Sequence, residues 1–227
     1  MTFESIFKWT RNPILLFFVL TAFPFFSIPA DDIANDEAAE LNKLEKAVIS
    51  AVPDPRYPHD RFILVTLNEA IRAKRENSGG GVGACLVRES TGEIVARGHN
   101  RQFSPYFRSD MHAEMDLLDR YEDQLKTARI PGVKSFNPRK VEGLVLYSSA
   151  EPCPMCLARI INAGLNKTYY AAADPSGGMV HKIGDLPPFW RDAAAGRIYA
   201  EADCSPALKD LATRLFNHGK RDIKTVN

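Results

Sequence analysis

Two short segments of the chain carry residue types that bind transition metals. His112-Ala113-Glu114 places a carboxylate two positions after an imidazole, and Pro152-Cys153-Pro154-Met155-Cys156 places two thiols three positions apart. One imidazole and two thiolates form a suitable ligand set for tetrahedral zinc. Three protein ligands leave a fourth position for water, which is typical of a catalytic zinc site. We therefore predict that His112, Cys153 and Cys156 bind zinc, the alternatives being a structural zinc site or a chance coincidence of spacing.

Glu114 is placed to act on a water molecule at such a site. Zinc lowers the pKa of a bound water from about 15.7 towards ~7. From two positions beyond the histidine, the carboxylate can face this water without being a ligand, and it can pass the proton to a leaving group. We predict that Glu114 is the catalytic proton-transfer residue; the alternative is an ordinary solvated carboxylate on a helix.

The elements that must position these motifs follow from hydrophobic periodicity and from turn residues. Helices are predicted from Asp60 to about Lys74 and at Met111–Tyr121, Pro154–Ala163 and Pro206–Asn217. Strands are predicted at Val82–Val87, Ile94–Gly98, Leu144–Tyr147, Lys167–Ala173 and Ile198–Ala202, with a connection at Leu125–Glu142. A hairpin followed by alternating helices and strands indicates an α/β sandwich with a mixed sheet. Both motifs then fall at the starts of helices.

The composition limits the classes of partner. The chain has 227 residues and a formal net charge of +1. Because nucleic-acid-binding domains of this size are usually clearly basic, this balance argues against an extended phosphate-binding surface. A local basic run is either a solvated loop or a contact to nucleic acid or phosphate; its members are Lys126, Arg129, Lys134, Arg139 and Lys140.

The N-terminal 30 residues differ from the rest of the chain. Lys8 and Arg11 precede a run of 19 uncharged residues from Asn12 to Ala30, and Asp31 follows it. This order is typical of a secretory signal peptide cleaved after Ala30. The alternatives are an uncleaved membrane anchor over residues 12–30 and a buried or disordered extension. A cleaved signal peptide predicts an exported enzyme, periplasmic or secreted. An uncleaved anchor predicts an enzyme outside the cytoplasm that contacts the membrane only through this segment.

The rest of the chain divides at a group of prolines. Residues 31–58 are predicted to be a helical extension and linker, because Leu41, Leu44, Val48 and Ile49 recur at helical spacing before Pro53–Pro58. Residues 59–227 are predicted to be the catalytic domain. The full chain has 28 acidic and 29 basic residues, and residues 1–30 contain one acidic and two basic ones. Without this segment the chain would have equal numbers of acidic and basic residues, which favours an uncharged small substrate.

The motifs resemble those of the cytidine and deoxycytidylate deaminase superfamily, in its branch with bacterial tRNA adenosine deaminases and guanine deaminases. The resemblance covers roughly residues 60–224 and also includes Gly83-Ala84-Cys85-Leu86-Val87, Gly98-His99-Asn100, Glu151-Pro152 and Ala173-Asp174-Pro175. It implies the three-layer α/β/α cytidine-deaminase fold, bound Zn²⁺ and a homodimer. It also implies that Asn100 hydrogen-bonds the substrate, and that the Ala113 backbone and the carbonyl near Ser149 line the base pocket.

The function implied is hydrolytic deamination of a purine or pyrimidine base or nucleoside, with release of ammonia. Two alternatives stay open: adenosine-to-inosine deamination in tRNA or another nucleic acid, and an exported module that binds without catalysis. The presence of all three ligands together with Glu114 disfavours the last. Of the other cysteines, Cys85 is expected in the core and Cys204 at or near the surface, with a disulfide between them as the alternative.

Overall fold

The computed structural model describes residues 30–127 and 141–220, with the side chains of residues 34–125 and 141–220. The expectations for residues 1–29, and for the side chains of the basic run between 126 and 140, lie outside this part. Its helices are α1 (Ala30–Ser50), α2 (Asp60–Arg75), α3 (Ala113–Thr127), α4 (Pro154–Ala163), α5 (Pro188–Ala194) and α6 (Pro206–Asn217). Its strands are β1 (Gly83–Arg88), β2 (Glu93–His99), β3 (Leu144–Ala150), β4 (Lys167–Ala172) and β5 (Ile198–Glu201).

The five strands form one mixed sheet in the order β2-β1-β3-β4-β5. The hairpin β1–β2 and the pair β1–β3 are antiparallel, whereas β3–β4 and β4–β5 are parallel. Every residue of the central strand β3 is buried. The cysteine motif therefore lies next to the middle of the sheet, because α4 follows the carboxyl end of β3 directly.

Helices cover both faces of this sheet. On one face α1, α2 and α6 enclose a core that includes Leu44, Leu67 and Leu215. On the other face α3 and α4 enclose a second core that includes Leu117 and Ile160. The predicted three-layer α/β/α sandwich with a mixed sheet is confirmed.

Several predicted boundaries differ from the structure. Helix α3 begins at Ala113 and continues to Thr127, so part of the predicted connection from Leu125 is helical. Helix α5 and a short 3-10 helix at Ile183–Asp185 were not predicted, because their few apolar residues show no sustained helical period. Ile49 was expected on the apolar face of α1 but is 72% exposed.

The predicted helix after residue 30 is present and packs on the α/β/α sandwich. Leu41, Leu44 and Val48 of α1 are buried in the same core as α2 and α6. The division at Pro53–Pro58 stays a prediction. Among residues 30–127 and 141–220, no helix is both long enough and apolar enough to span a bilayer.

Candidate active site

The three predicted zinc ligands lie together between the starts of two helices. His112 directly precedes α3, and Cys153 is the N-cap of α4, which Pro154 opens and Gly164 ends in a left-handed conformation. The ligand atoms of His112, Cys153 and Cys156 all lie within 4.8 Å of one another. Cys153 Sγ is 3.6 Å from His112 Nδ1. Tetrahedral zinc bonds to sulfur and nitrogen place such ligand atoms about 3.6 Å apart, so this donor set fits the metal.

The pKa values of the two thiols in this cluster are shifted in opposite directions. A hydrogen bond from the Cys156 thiol, together with the neighbouring His112 ring, lowers the pKa of Cys153 to about 4. The bond to Cys153, together with burial, raises the pKa of Cys156 well above its usual value. Because a metal binds thiolates, zinc binding would displace any proton held between the two sulfurs.

Glu114 lies in the first turn of α3, one residue beyond Ala113 and beside the ligand cluster. Its side chain is buried, and this burial raises its pKa above the usual value. Ser148 Oγ of β3 donates a hydrogen bond to Glu114 Oε1 over 3.1 Å. A buried carboxylate with a raised pKa beside a metal site has the properties of a general acid and base.

Asn100 is held at the end of β2 by its backbone. Its N–H donates to the Val82 carbonyl at 3.0 Å, and its carbonyl accepts from Ser78 Oγ at 2.8 Å. Its side-chain Oδ1 accepts from the Gln102 N–H at 3.2 Å. This bond leaves the amide Nδ2 available to donate to a ligand. A Cβ on Gly79 would lie 2.3 Å from Oδ1, so the close approach of this loop requires glycine.

One cavity of about 250 Å³ joins these groups. It brings together four of the predicted site residues: Asn100, His112, Glu114 and Cys153. Cys156 is buried beside the cluster. Ala113 and Ser149 are also buried and are not among the lining residues, and Ser149 Oγ accepts from the Gly83 N–H at 3.0 Å. Their roles in lining the base pocket stay predictions.

The cavity also has residues that were not proposed from the sequence. They are Gly80, Val82, Gln102, Ala150, Glu151, Asp174, Phe216 and Lys220. Glu151 and Asp174 stood in motifs already noted, so their position beside the metal motif could have been proposed. Phe216 and Lys220 come from the end of α6 and the turn after it, which no local spacing connects to His112. Lys220 Nζ lies 3.0 Å from the centroid of the Phe216 ring, a cation–π contact at the cavity wall.

Glu151 ties the wall of the cavity to the segment after β4. Its side chain accepts hydrogen bonds from the Asp174 N–H at 3.0 Å and from the His181 N–H at 2.9 Å, and it pairs with His181 Nδ1 at 2.7 Å. Although burial acts to raise it, these bonds hold the pKa of Glu151 below its usual value. Glu151 is thus an ionised structural carboxylate with its acceptors occupied by the protein.

Comparison with known proteins identifies this arrangement. The sequence matches the family model of the cytidine and deoxycytidylate deaminase zinc-binding region over residues 56–172. A solved structure from a study of A-to-I editing by tRNA:A34 deaminases at the wobble position of transfer RNA aligns with a TM-score of 0.52 and 26% identity. The alignment covers 68% of this chain and 98% of that one.

Curated relatives carry different substrate names. The tRNA-specific adenosine deaminase of Bacillus subtilis is 34% identical over 113 residues, which are 49% of this chain and 63% of the relative. The guanine deaminase of the same organism is 30% identical over 114 residues, 50% of this chain and 64% of the relative. The tRNA-specific adenosine deaminase of Aquifex aeolicus is 28% identical over 159 residues, 69% of this chain and 95% of the relative. The chain therefore spans a little under two thirds of the two Bacillus proteins.

Proposed function

Because the chain belongs to the cytidine and deoxycytidylate deaminase family, we propose that it hydrolytically deaminates a free purine or pyrimidine base or a nucleoside. The observation that carries this proposal is Glu114, a buried carboxylate that shares one cavity with His112, Cys153 and Asn100. In the reaction, water adds to the amine-bearing ring carbon, the bond from that carbon to the amine breaks, and ammonia leaves as the ring carbonyl forms.

The residues of the chain divide this chemistry between them. His112, Cys153 and Cys156 would hold zinc, which when bound supplies Lewis-acid activation of the attacking water at neutral pH. Glu114 takes one proton of that water and delivers it to a ring nitrogen; it then takes the remaining hydroxyl proton, as the carbonyl forms, and passes it to the leaving amine. Asn100 orients the ring, because its Nδ2 can donate to a ring nitrogen or a carbonyl oxygen while Oδ1 is occupied by Gln102.

The size of the cavity supports a small substrate. Its volume of about 250 Å³ lies below the roughly 300–1,000 Å³ of pockets for drug-sized ligands. The formal charge of +1 on the chain gives little general attraction for a polyanion. Both properties suit a free base or nucleoside.

A second candidate is deamination of adenosine within tRNA or another nucleic acid. The relatives named as tRNA-specific adenosine deaminases favour it. So does the loop between Asn100 and His112, on which Phe103, Tyr106 and Phe107 are 60–67% exposed. Exposed rings at the edge of a pocket can stack on the bases that flank a target nucleotide.

Ammonia release from a panel of substrates tests the proposal. Guanine, adenine, cytosine, their nucleosides and a tRNA anticodon stem are each incubated with the zinc-loaded protein and with Glu114→Gln as the matched control. Ammonia from a base or nucleoside, absent in the variant, supports the proposal. Ammonia from the anticodon stem alone would establish the second candidate, and no release from any substrate would contradict both.

We also propose that the protein acts as a homodimer outside the cytoplasm. The first part is supported by the family resemblance, and the second by the uncharged segment from Asn12 to Ala30. Sedimentation equilibrium of the purified protein tests the dimer.

A further inference from the structure

Ser148 interrupts an apolar row on one face of the central strand. Alternate residues of a strand face the same side of the sheet, so Leu144, Leu146 and Ser148 share the face that α3 and α4 cover. Leu144 and Leu146 pack there in one core with Leu117 of α3. Ser148 is completely buried. A hydroxyl in such surroundings costs free energy unless it is hydrogen-bonded.

The partner of this hydroxyl is the proton-transfer residue. Ser148 Oγ donates to Glu114 Oε1 at 3.1 Å, between two side chains that are both buried. The Ala150 N–H donates to Ser148 Oγ at 3.4 Å. The serine thus accepts from its own strand and has its proton directed at the carboxylate. These two hydrogen bonds connect the buried strand β3 with the carboxylate of Glu114.

We propose that Ser148 is a positioning residue that holds Oε1 of Glu114, so that Oε2 is the oxygen that moves the proton. The inference rests on the role of Glu114 in the proposed function. Rotation about the last torsion of a glutamate side chain has a broad energy profile, so packing alone fixes the carboxylate plane poorly. A donated hydrogen bond to one oxygen, in addition to the bonds of the carboxylate with the Glu114 backbone and with Cys156, fixes that plane and makes the two oxygens inequivalent.

Removing the hydroxyl should slow turnover without weakening substrate binding. We expect Ser148→Ala to lower kcat about tenfold, the effect of losing one hydrogen bond to a charged group, with KM and zinc content unchanged. Thr168→Val is the matched control. Thr168 lies beside Leu146 on the neighbouring strand, is completely buried, and has no hydrogen-bond partner for its hydroxyl among the described residues. This control should keep kcat within about twofold of wild type.

Two further measurements separate positioning from general stability. Ser148→Thr retains the hydroxyl and should restore kcat to within about threefold of wild type. A double-mutant cycle combines Ser148→Ala with Glu114→Ala and measures the coupling of the two residues by urea unfolding of the zinc-loaded protein. This measurement does not require an active enzyme. Ser148→Ala should raise the unfolding equilibrium constant roughly tenfold in the wild-type background and change it less than about twofold in the Glu114→Ala background.

The outcomes distinguish this inference from the proposed function. If wild-type protein releases no ammonia from any substrate, the proposed function fails, and the unfolding cycle still shows whether the two residues are coupled. An active wild type with a fully active Ser148→Ala variant would overturn the positioning role. Equal unfolding effects of Ser148→Ala in both backgrounds would overturn it as well. A higher KM with an unchanged kcat in Ser148→Ala would also overturn it.

Discussion

Gly98 of β2 lies directly against the backbone of Leu117 in α3. A Cβ on Gly98 would lie 2.4 Å from the Leu117 nitrogen and 2.7 Å from the Ala113 carbonyl oxygen. Helix α3 can therefore approach the sheet this closely only over a glycine. Since Ala113 directly precedes Glu114, this contact also sets the depth at which the carboxylate enters the cavity.

Replacing Gly98 by alanine should displace α3 from the sheet. Overpacking of this kind costs about 1–3 kcal/mol of unfolding free energy, and we expect a loss of that size in Gly98→Ala by urea unfolding. We also expect kcat to fall, because Glu114 moves with the helix. Gly184→Ala is the control, since a Cβ there would meet nothing within 4 Å. Wild-type stability in Gly98→Ala would show that this contact does not set how closely α3 approaches the sheet.

The zinc ligands should be separable from the other cysteines. We expect about one zinc per chain in the purified protein, and loss of the metal with much of the stability in Cys153→Ala or Cys156→Ala. Cys204→Ala should keep the metal, because Cys204 is a free thiol buried in the core on the other face of the sheet, and not at or near the surface as expected. Metal analysis of the four proteins provides the measurement. Full zinc in both ligand variants would refute the assignment.

Glu151 should make the folded protein sensitive to acid. Its folded pKa lies below the usual value of 4.5. A carboxyl group with a depressed folded pKa stabilises the protein fully above its unfolded pKa, and this contribution disappears as pH falls through the folded value. We therefore expect the stability difference between wild type and Glu151→Gln to shrink from pH 7 to pH 3. Urea unfolding at both pH values measures it, and a difference that stays constant with pH would contradict the ionised, bonded state of Glu151.

The N-terminal segment gives a prediction that depends on the sequence alone. The uncharged run from Asn12 to Ala30 should direct the chain out of the cytoplasm, and cleavage should leave an N-terminus at or near Asp31. If the segment is retained, the protein should fractionate with membranes. Cell fractionation with N-terminal sequencing separates these results. A soluble cytoplasmic protein that still begins at Met1 would refute both and would favour tRNA as the substrate.

The local parts of the site could be predicted from the sequence. Each metal motif is defined by spacing within one turn of a helix. The grouping of His112, Cys153 and Cys156 could therefore be predicted once the strands between the two motifs were placed correctly. Pro154 and Gly164 likewise mark the ends of α4, and its predicted bounds agree with the structure. The mixed character of the sheet followed from the hairpin and the alternation of elements, whereas the strand order came only from the structure.

The contacts made by distant segments could not be predicted in this way. Phe216 and Lys220 reach the cavity only because α6 packs back across the sheet. The bond from Ser148 to Glu114 joins residues 34 positions apart on different elements. Such pairs depend on tertiary packing, which leaves no period or spacing in the sequence. Helix α5 was missed for a related reason, since its packing against α4, more than its short sequence, supports it.

In the proposed reaction Glu114 transfers the protons of a zinc-dependent deamination, and the variant Glu114→Gln tests this role most directly. The amide keeps the shape of the side chain and can still accept from Ser148, but it cannot transfer a proton. On the substrate that the wild type uses best, we expect full zinc content, an unchanged unfolding midpoint and a kcat lower by roughly 10²- to 10⁴-fold. A zinc-loaded Glu114→Gln protein that turns over within tenfold of wild type would contradict the account.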